Sequence, residues 1–178
     1  MRKVVVTAFV SLDGVAEEAN KFIFDWDDVV DAQGAAIIAT QDAVILGHRT
    51  YDEWSEYWPT SDVEPFATFI NTAPKYVASS TPLGRKWDNT ITIDGDLVPF
   101  VQDLKHSPGG DIGVHGSISV ARALLAADVV DEVRLCVAPV LAGRGRRLLD
   151  DLPQIRLELL HGVGSPAGYL IADYRVSR

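Results

Sequence analysis

Short apolar runs alternate along this chain with segments whose apolar residues recur every three or four positions. The runs are residues 3–10, 42–47, 75–79, 90–93, 112–114 and 133–140. Residues 29–40, the stretch opening at His48, and residues 96–106 and 117–126 carry the helical spacing; Ile118, Ala121, Leu124 and Leu125 are its clearest case. A run that is apolar at every position needs cover on both faces of its sheet. Strands joined through helices run parallel. The last runs, 156–161 and 169–176, have no helix between them, only a glycine- and proline-bearing turn at 162–168. They predict an antiparallel hairpin at one edge. The whole chain, 1–178, therefore reads as one α/β domain around a mostly parallel sheet.

In such a sheet, ligands sit beyond the carboxyl ends of the strands. That rule gathers four loops on one side: the turn after Val10, Gly47-His48-Arg49-Thr50, Ser79-Ser80-Thr81 and His115-Gly116-Ser117. Two of these are a strand end, a glycine and a helix start. Helix N-termini carry unpaired N–H groups and partial positive charge, and glycine lets an anion approach the backbone. Ser117 is placed to cap its helix or to meet the same anion. Arg49 adds a guanidinium able to grip phosphate, and residues 79–81 add hydroxyls. A ligand with several phosphates accounts for all of these bends together.

Composition removes other classes. The chain has 178 residues, 47% of them hydrophobic, which suits a globular domain with a real core. A net charge of −9 argues against general nucleic-acid affinity. Cys136 is the only cysteine, so no intrachain disulfide is possible, and an apolar strand makes it an inert thiol. His48, His106 and His161 lack metal-ligand spacing, and no Gly-x-Ser-x-Gly elbow occurs. The N-terminal apolar run breaks at Ser11-Leu12-Asp13-Gly14 without a cleavage site, so it reads as a first strand. No stretch reaches the ~18 apolar residues of a membrane span, and a cytoplasmic location is the expectation.

Three segments in one order carry a resemblance: Val44-Ile-Leu-Gly-His-Arg-Thr-Tyr-Asp-Glu-Trp54, Pro74-Lys-Tyr-Val-Ala-Ser-Ser79, and Gly116-Ser117 through Val130-Asp-Glu-Val-Arg-Leu135 to Pro139-Val-Leu-Ala-Gly-Arg-Gly-Arg-Arg-Leu148. They resemble the dihydrofolate reductase-like superfamily. The nearer likeness is to the reductase domain of the riboflavin-biosynthesis deaminase–reductases and its stand-alone relatives, a branch marked by Ser11-Leu-Asp-Gly14. The resemblance implies a three-layer fold with about eight strands, helices on both faces and an NADPH site. It implies hydride transfer to a small polar heterocycle of pterin, pyrimidine or riboflavin-precursor type. Gly47, His48, Arg49 and Thr50 would hold adenosine-side phosphates, and Ser79, Ser80 and Thr81 would lie by the adenine ribose and its 2′-phosphate. His115, Gly116, Ser117 and Ile118 would form the pyrophosphate turn, with Ala8 and Val15 lining the cofactor near the loop that closes over nicotinamide and substrate. The chain departs from the pattern in two places. The acidic residue that dihydrofolate reductases place at the start of the first helix has no clean match among Asp25, Asp27, Asp28 and Asp31. The paired glycines of the pyrophosphate turn appear as His115-Gly116.

Asp13 is the candidate catalytic group, as a substrate ligand or proton relay; an Asp-Gly turn is the plainer reading. Asp25, Tyr51, Trp54 and Arg144 are candidate substrate contacts, although Tyr51 and Trp54 at three-residue spacing also suit a core. A protonated His115 would contact a cofactor phosphate and make binding pH-sensitive. Two other classes stay open: a dinucleotide-binding module without turnover, and a homodimer paired through residues 133–140.

Overall fold

The computed structural model describes residues 1–177. Eight strands form one sheet: β1 (Val4–Ser11), β2 (Gln41–Gly47), β3 (Lys75–Ala78), β4 (Thr90–Thr92), β5 (Asp111–His115), β6 (Glu132–Ala138), β7 (Arg156–Gly164) and β8 (Leu170–Ser177). Their order is β4-β3-β2-β5-β1-β6-β8-β7. The strands from β4 to β6 are parallel, and β8 pairs antiparallel with both β6 and β7. Five helices connect them: α1 (Asp28–Ile38), α2 (His48–Tyr57), α3 (Phe66–Thr72), α4 (Leu97–His106) and α5 (Ile118–Ala126). Among the described residues no helix is long and apolar enough to cross a membrane.

Burial follows from the pleat. On β1, Val4, Val6, Ala8 and Val10 point to one face, where α4 and α5 supply Val101, Val120, Ala121, Leu124 and Leu125. On the other face, Val44, Leu46 and Val77 meet Tyr51 of α2 and Ile70 of α3, while Val30 of α1 packs with Val15, Phe22, Ala138 and Tyr169. The continuous apolar reading of the first strand is explained by this two-sided cover.

Of the buried charged side chains among the described residues, Lys75 is the most enclosed. Lys75 is fully buried, and its Nζ donates to the carbonyls of Ile70 at 2.8 Å and Ala73 at 2.9 Å. It thereby satisfies carbonyls at the C-terminal end of α3, where a cation is favoured. Burial pushes its ammonium down to about 8, and the Trp87 ring lies 4.6 Å beneath it.

Two sequence expectations need correction here. Residues 133–140 cannot pair with another chain, because β6 already lies between β1 and β8 with both of its edges bonded. The turn expected at 162–168 is shorter: Gly162 and Gly164 belong to β7, and the reversal is closed by Ser165 and Gly168. Of the two edge strands, β4 has three residues and β7 has nine. All nine residues of β7 are exposed, including Leu157, Leu159, Leu160 and Val163.

Candidate functional site

Because β3, β2, β5 and β1 are parallel neighbours, their carboxyl ends fall on one rim. Side chains tie these ends together. The Gly47 N–H donates to Ser117 Oγ at 2.8 Å, Ser117 Oγ donates to Thr50 Oγ1 at 2.9 Å, and Thr50 Oγ1 donates to the Gly116 carbonyl at 3.3 Å. His48 Nδ1 pairs with Ser79 Oγ at 2.6 Å, and Thr81 Oγ1 lies 3.1 Å from the same nitrogen. Ser80 is exposed beside them. The three anion-friendly bends read from the sequence are thus one continuous edge.

Gly116 is glycine for two reasons. Its φ is +62°, and a Cβ there would stand 3.2 Å from Trp54 Cζ2 and 3.3 Å from Thr50 Cγ2. Ser117 does not cap its own helix, contrary to one expectation; its hydroxyl is spent joining the two glycine junctions. Neither α2 nor α5 has a side-chain cap, so both begin at the rim without a side-chain acceptor for their first N–H groups. Ile118 and Ala8 are buried in the core just below.

The phosphate role expected of the His115 side chain does not hold. As the last residue of β5 it shares a face with Gly113, and that face turns inward. The ring is 4% exposed, bonded through Nε2 to Gln41 Oε1 at 2.7 Å and packed 5.5 Å from the Phe66 ring. Burial pushes the imidazole down to about 4, so it is neutral at physiological pH. Gly113 makes this possible, since a Cβ there would land on the Gln41 amide and 2.6 Å from His115 Nε2.

Tyr51 is core, whereas Trp54 is half-buried against the edge of the same cluster. Tyr51 is 1% exposed, and its hydroxyl donates to the Arg85 carbonyl at 2.8 Å. Trp54 lies under Gly116, edge-on to Trp58 and Phe66.

Asp13 is bonded as an anchor between two loops. Its carboxylate accepts from Ser11 Oγ at 2.7 Å, Ala142 N at 2.9 Å and Gly143 N at 2.8 Å. The Ser11 hydroxyl and those two backbone N–H groups hold it down at about 2. The strap at residues 11–17 is therefore stitched to the loop at 140–148. Val15, itself buried, bridges Arg147, and the Leu148 N–H donates to Gly14 O at 3.0 Å. At the strap's end, Glu17 accepts from Arg146 N and from Arg49 Nη1, each at 3.1 Å, and both contacts lower its carboxyl. Arg146 Nη2 reaches Ser119 Oγ in the first turn of α5 at 2.9 Å. Arg144 is exposed on the tip of the same loop.

Of the acidic residues before α1, Asp25 is exposed and in the left-handed region, with φ +54°. Asp27 is the N-cap. It accepts from Val29 N at 3.0 Å, Val30 N at 3.1 Å and Ala167 N at 2.9 Å. Burial opposes its ionisation, but the bonds from Ala167, Ser165, Val30 and Val29 outweigh it and the carboxyl is lowered. Cys136 faces the same region; burial, then the nearby Asp27, push its thiol up to about 12, as an inert thiol requires. Glu17, Gln41 and the capping role of Asp27 were missed from sequence. Only Asp27 carried a local signal, an aspartate directly before a helical pattern.

Comparison with known proteins decides the family. Residues 2–170 match the model of the RibD C-terminal domain. The chain belongs to that family. This RibD C-terminal domain is 29% identical over 167 residues to the uncharacterized protein YyaP of Bacillus subtilis, covering 90% of the chain and 87% of YyaP. Its fold is that of a protein from Shewanella sp. PV-4 ascribed to riboflavin biosynthesis, with TM-score 0.77, 20% identity and 99% of each chain covered. The fold is also shared with the Enterococcus faecalis dihydrofolate reductase solved with NADP(H), with TM-score 0.67, 11% identity, and 99% and 97% covered. The dihydrofolate reductase-like α/β architecture expected from the resemblance is the one observed.

Proposed function

We propose that this RibD C-terminal domain is an NADPH-dependent reductase that delivers hydride to a C=N or C=O bond of a small polar heterocycle, of riboflavin-precursor, pyrimidine or pterin type. The observation that carries this reading is the hydroxyl chain Gly47–Ser117–Thr50–Gly116, continued through His48 to Ser79. It makes one unbroken polar edge of three strand ends. A dinucleotide fits such an edge: two helix starts without side-chain caps face its phosphates, and Arg49 and Arg146 supply local positive charge in an acidic chain. NADPH, when bound, supplies the hydride. The chain's own residues bind and orient. Gly116 and Ser117 with Thr50 fix the turn, and Arg49 favours a 2′-phosphate over the bare hydroxyl of NADH. Asp13 holds the strap that bounds the substrate side.

Asp13 and Asp27 are both held as anions, so neither donates the proton that completes reduction. In this reading that proton comes from solvent. The same fact favours the second reading, a dinucleotide-binding module without turnover. Calorimetry with NADPH and NADH, followed by absorbance assays against a panel of the three substrate types, separates them. The expected result is NADPH binding tighter than NADH binding, with oxidation by at least one panel member. Binding without oxidation would establish the module instead, and no binding would end both.

We further propose that the domain is a homodimer joined at β7. Leu159 is 58% exposed and Leu170 49%, and an unpaired apolar edge strand invites a second copy. Sedimentation should give a dimer at micromolar concentration, and Leu159→Lys should shift it to monomer. A wild-type monomer would remove the proposal.

A further inference from the structure

The strap carries its own anion into the rim. Glu17 is mostly shielded, its side chain 24% exposed, and it is held from both sides. Oε1 accepts from Arg49 Nη1 and Oε2 from the Arg146 backbone N–H, each at 3.1 Å. The Glu17 N–H in turn donates to Arg146 O at 3.2 Å. The Arg146 guanidinium is anchored on Ser119 at 2.9 Å, in the first turn of α5. A guanidinium fork and a backbone N–H beside a helix start are donors suited to a phosphate oxygen. In this chain a carboxylate occupies them.

We infer that Glu17 is an internal competitor for the phosphate-binding groups, and that a dinucleotide must displace its carboxylate from Arg49 to bind. This rests on the dinucleotide reading above. Two consequences separate it from a purely structural role for the strap. First, the carboxylate lowers affinity for phosphate-bearing ligands and leaves uncharged ones untouched, because like charges repel at close range. Second, the effect belongs to Glu17 and not to acidity in general. Arg49 has another carboxylate partner, Glu53, at 3.2 Å from Nε, but Glu53 is a neighbour on the outer surface of α2, exposed to solvent and not reached by the strap. Its removal changes the net charge equally without freeing the strap.

The test is calorimetric titration of NADPH, and of adenosine as an uncharged control, into the wild-type chain, Glu17→Gln, Glu17→Asp and Glu53→Gln. Thermal melts establish that each is folded. Glu17→Gln should bind NADPH about tenfold more tightly. Glu17→Asp, which keeps the charge but shortens the reach to Arg49, should gain part of that. Glu53→Gln should stay within about twofold of wild type, and adenosine should bind all four chains alike. Unchanged or weaker NADPH binding by Glu17→Gln overturns the inference, as does an equal gain in Glu53→Gln. If Glu17→Gln fails to fold, the Asp variant decides by the same criterion. Wild-type chain and variants that all ignore NADPH would instead remove the cofactor reading, and the inference with it.

Discussion

Acidification from about pH 7 to about pH 4 is expected to strip about 3 kcal/mol of stability through His115 alone. The imidazole is neutral in the folded chain because burial pushes it from the ordinary 6.5 down to about 4. In the unfolded chain it protonates near its ordinary value. Between those two values the unfolded chain binds more protons, so stability falls as pH falls. The contribution is whole above about 6.5 and exhausted near 4, below which both states are protonated. The cause is local. Among the described residues, the Gln41 amide and the rings of Phe66, Phe69 and Trp54 surround the imidazole. Urea melts across this window measure the loss. His115→Phe should be less stable at neutral pH, since Gln41 Oε1 loses its donor, yet its stability should change less with pH by the same ~3 kcal/mol. Equal pH slopes in the two proteins would mean that His115 is not the buried neutral group described here.

His115 also shows where sequence reasoning stops. Strand–helix alternation was legible because periodicity is a local property and a two-sided apolar strand has few alternatives. The rim was legible because parallel strands put all their carboxyl ends on one side, whatever the packing. Side-chain direction at the rim was harder. His115 follows Gly113 by two positions, so both lie on one face, and a glycine there is the room an inward ring needs. That signal was present and was outweighed by the neighbouring Gly116-Ser117. Tyr51 went to the core because α2 folds directly back on β2, and half-buried Trp54 packs at the edge of that core with the aromatic rings of α3. The strap's fastenings carried no local signal. Asp13 finds Ala142 and Gly143, and Glu17 finds Arg146, across most of the chain's length.

Asp13→Ala is expected to lower kcat/KM of the proposed reductase by about a hundredfold, with Asp13→Asn losing about tenfold. The ranking follows from the bonds. Alanine abandons Ser11 Oγ, Ala142 N and Gly143 N together. Asparagine keeps an oxygen for Ser11 and Ala142 but turns an NH2 toward the Gly143 N–H, donor against donor. The strap from Ser11 to Glu17 then loses registry with the loop at 142–148, and the substrate side of the rim loses its boundary. Limited proteolysis within the strap should accelerate in the same order. The pH profile distinguishes an anchor from a proton relay. A carboxyl held at about 2 is ionised throughout the working range, so neither variant should remove an ionisation from kcat. Its stabilising effect on the strap is complete above the ordinary carboxyl value and fails only as pH falls toward about 2, far below any assay. Loss of an acidic limb in Asp13→Asn, with proteolysis unchanged, would return the proton to Asp13 and take the anchoring role away.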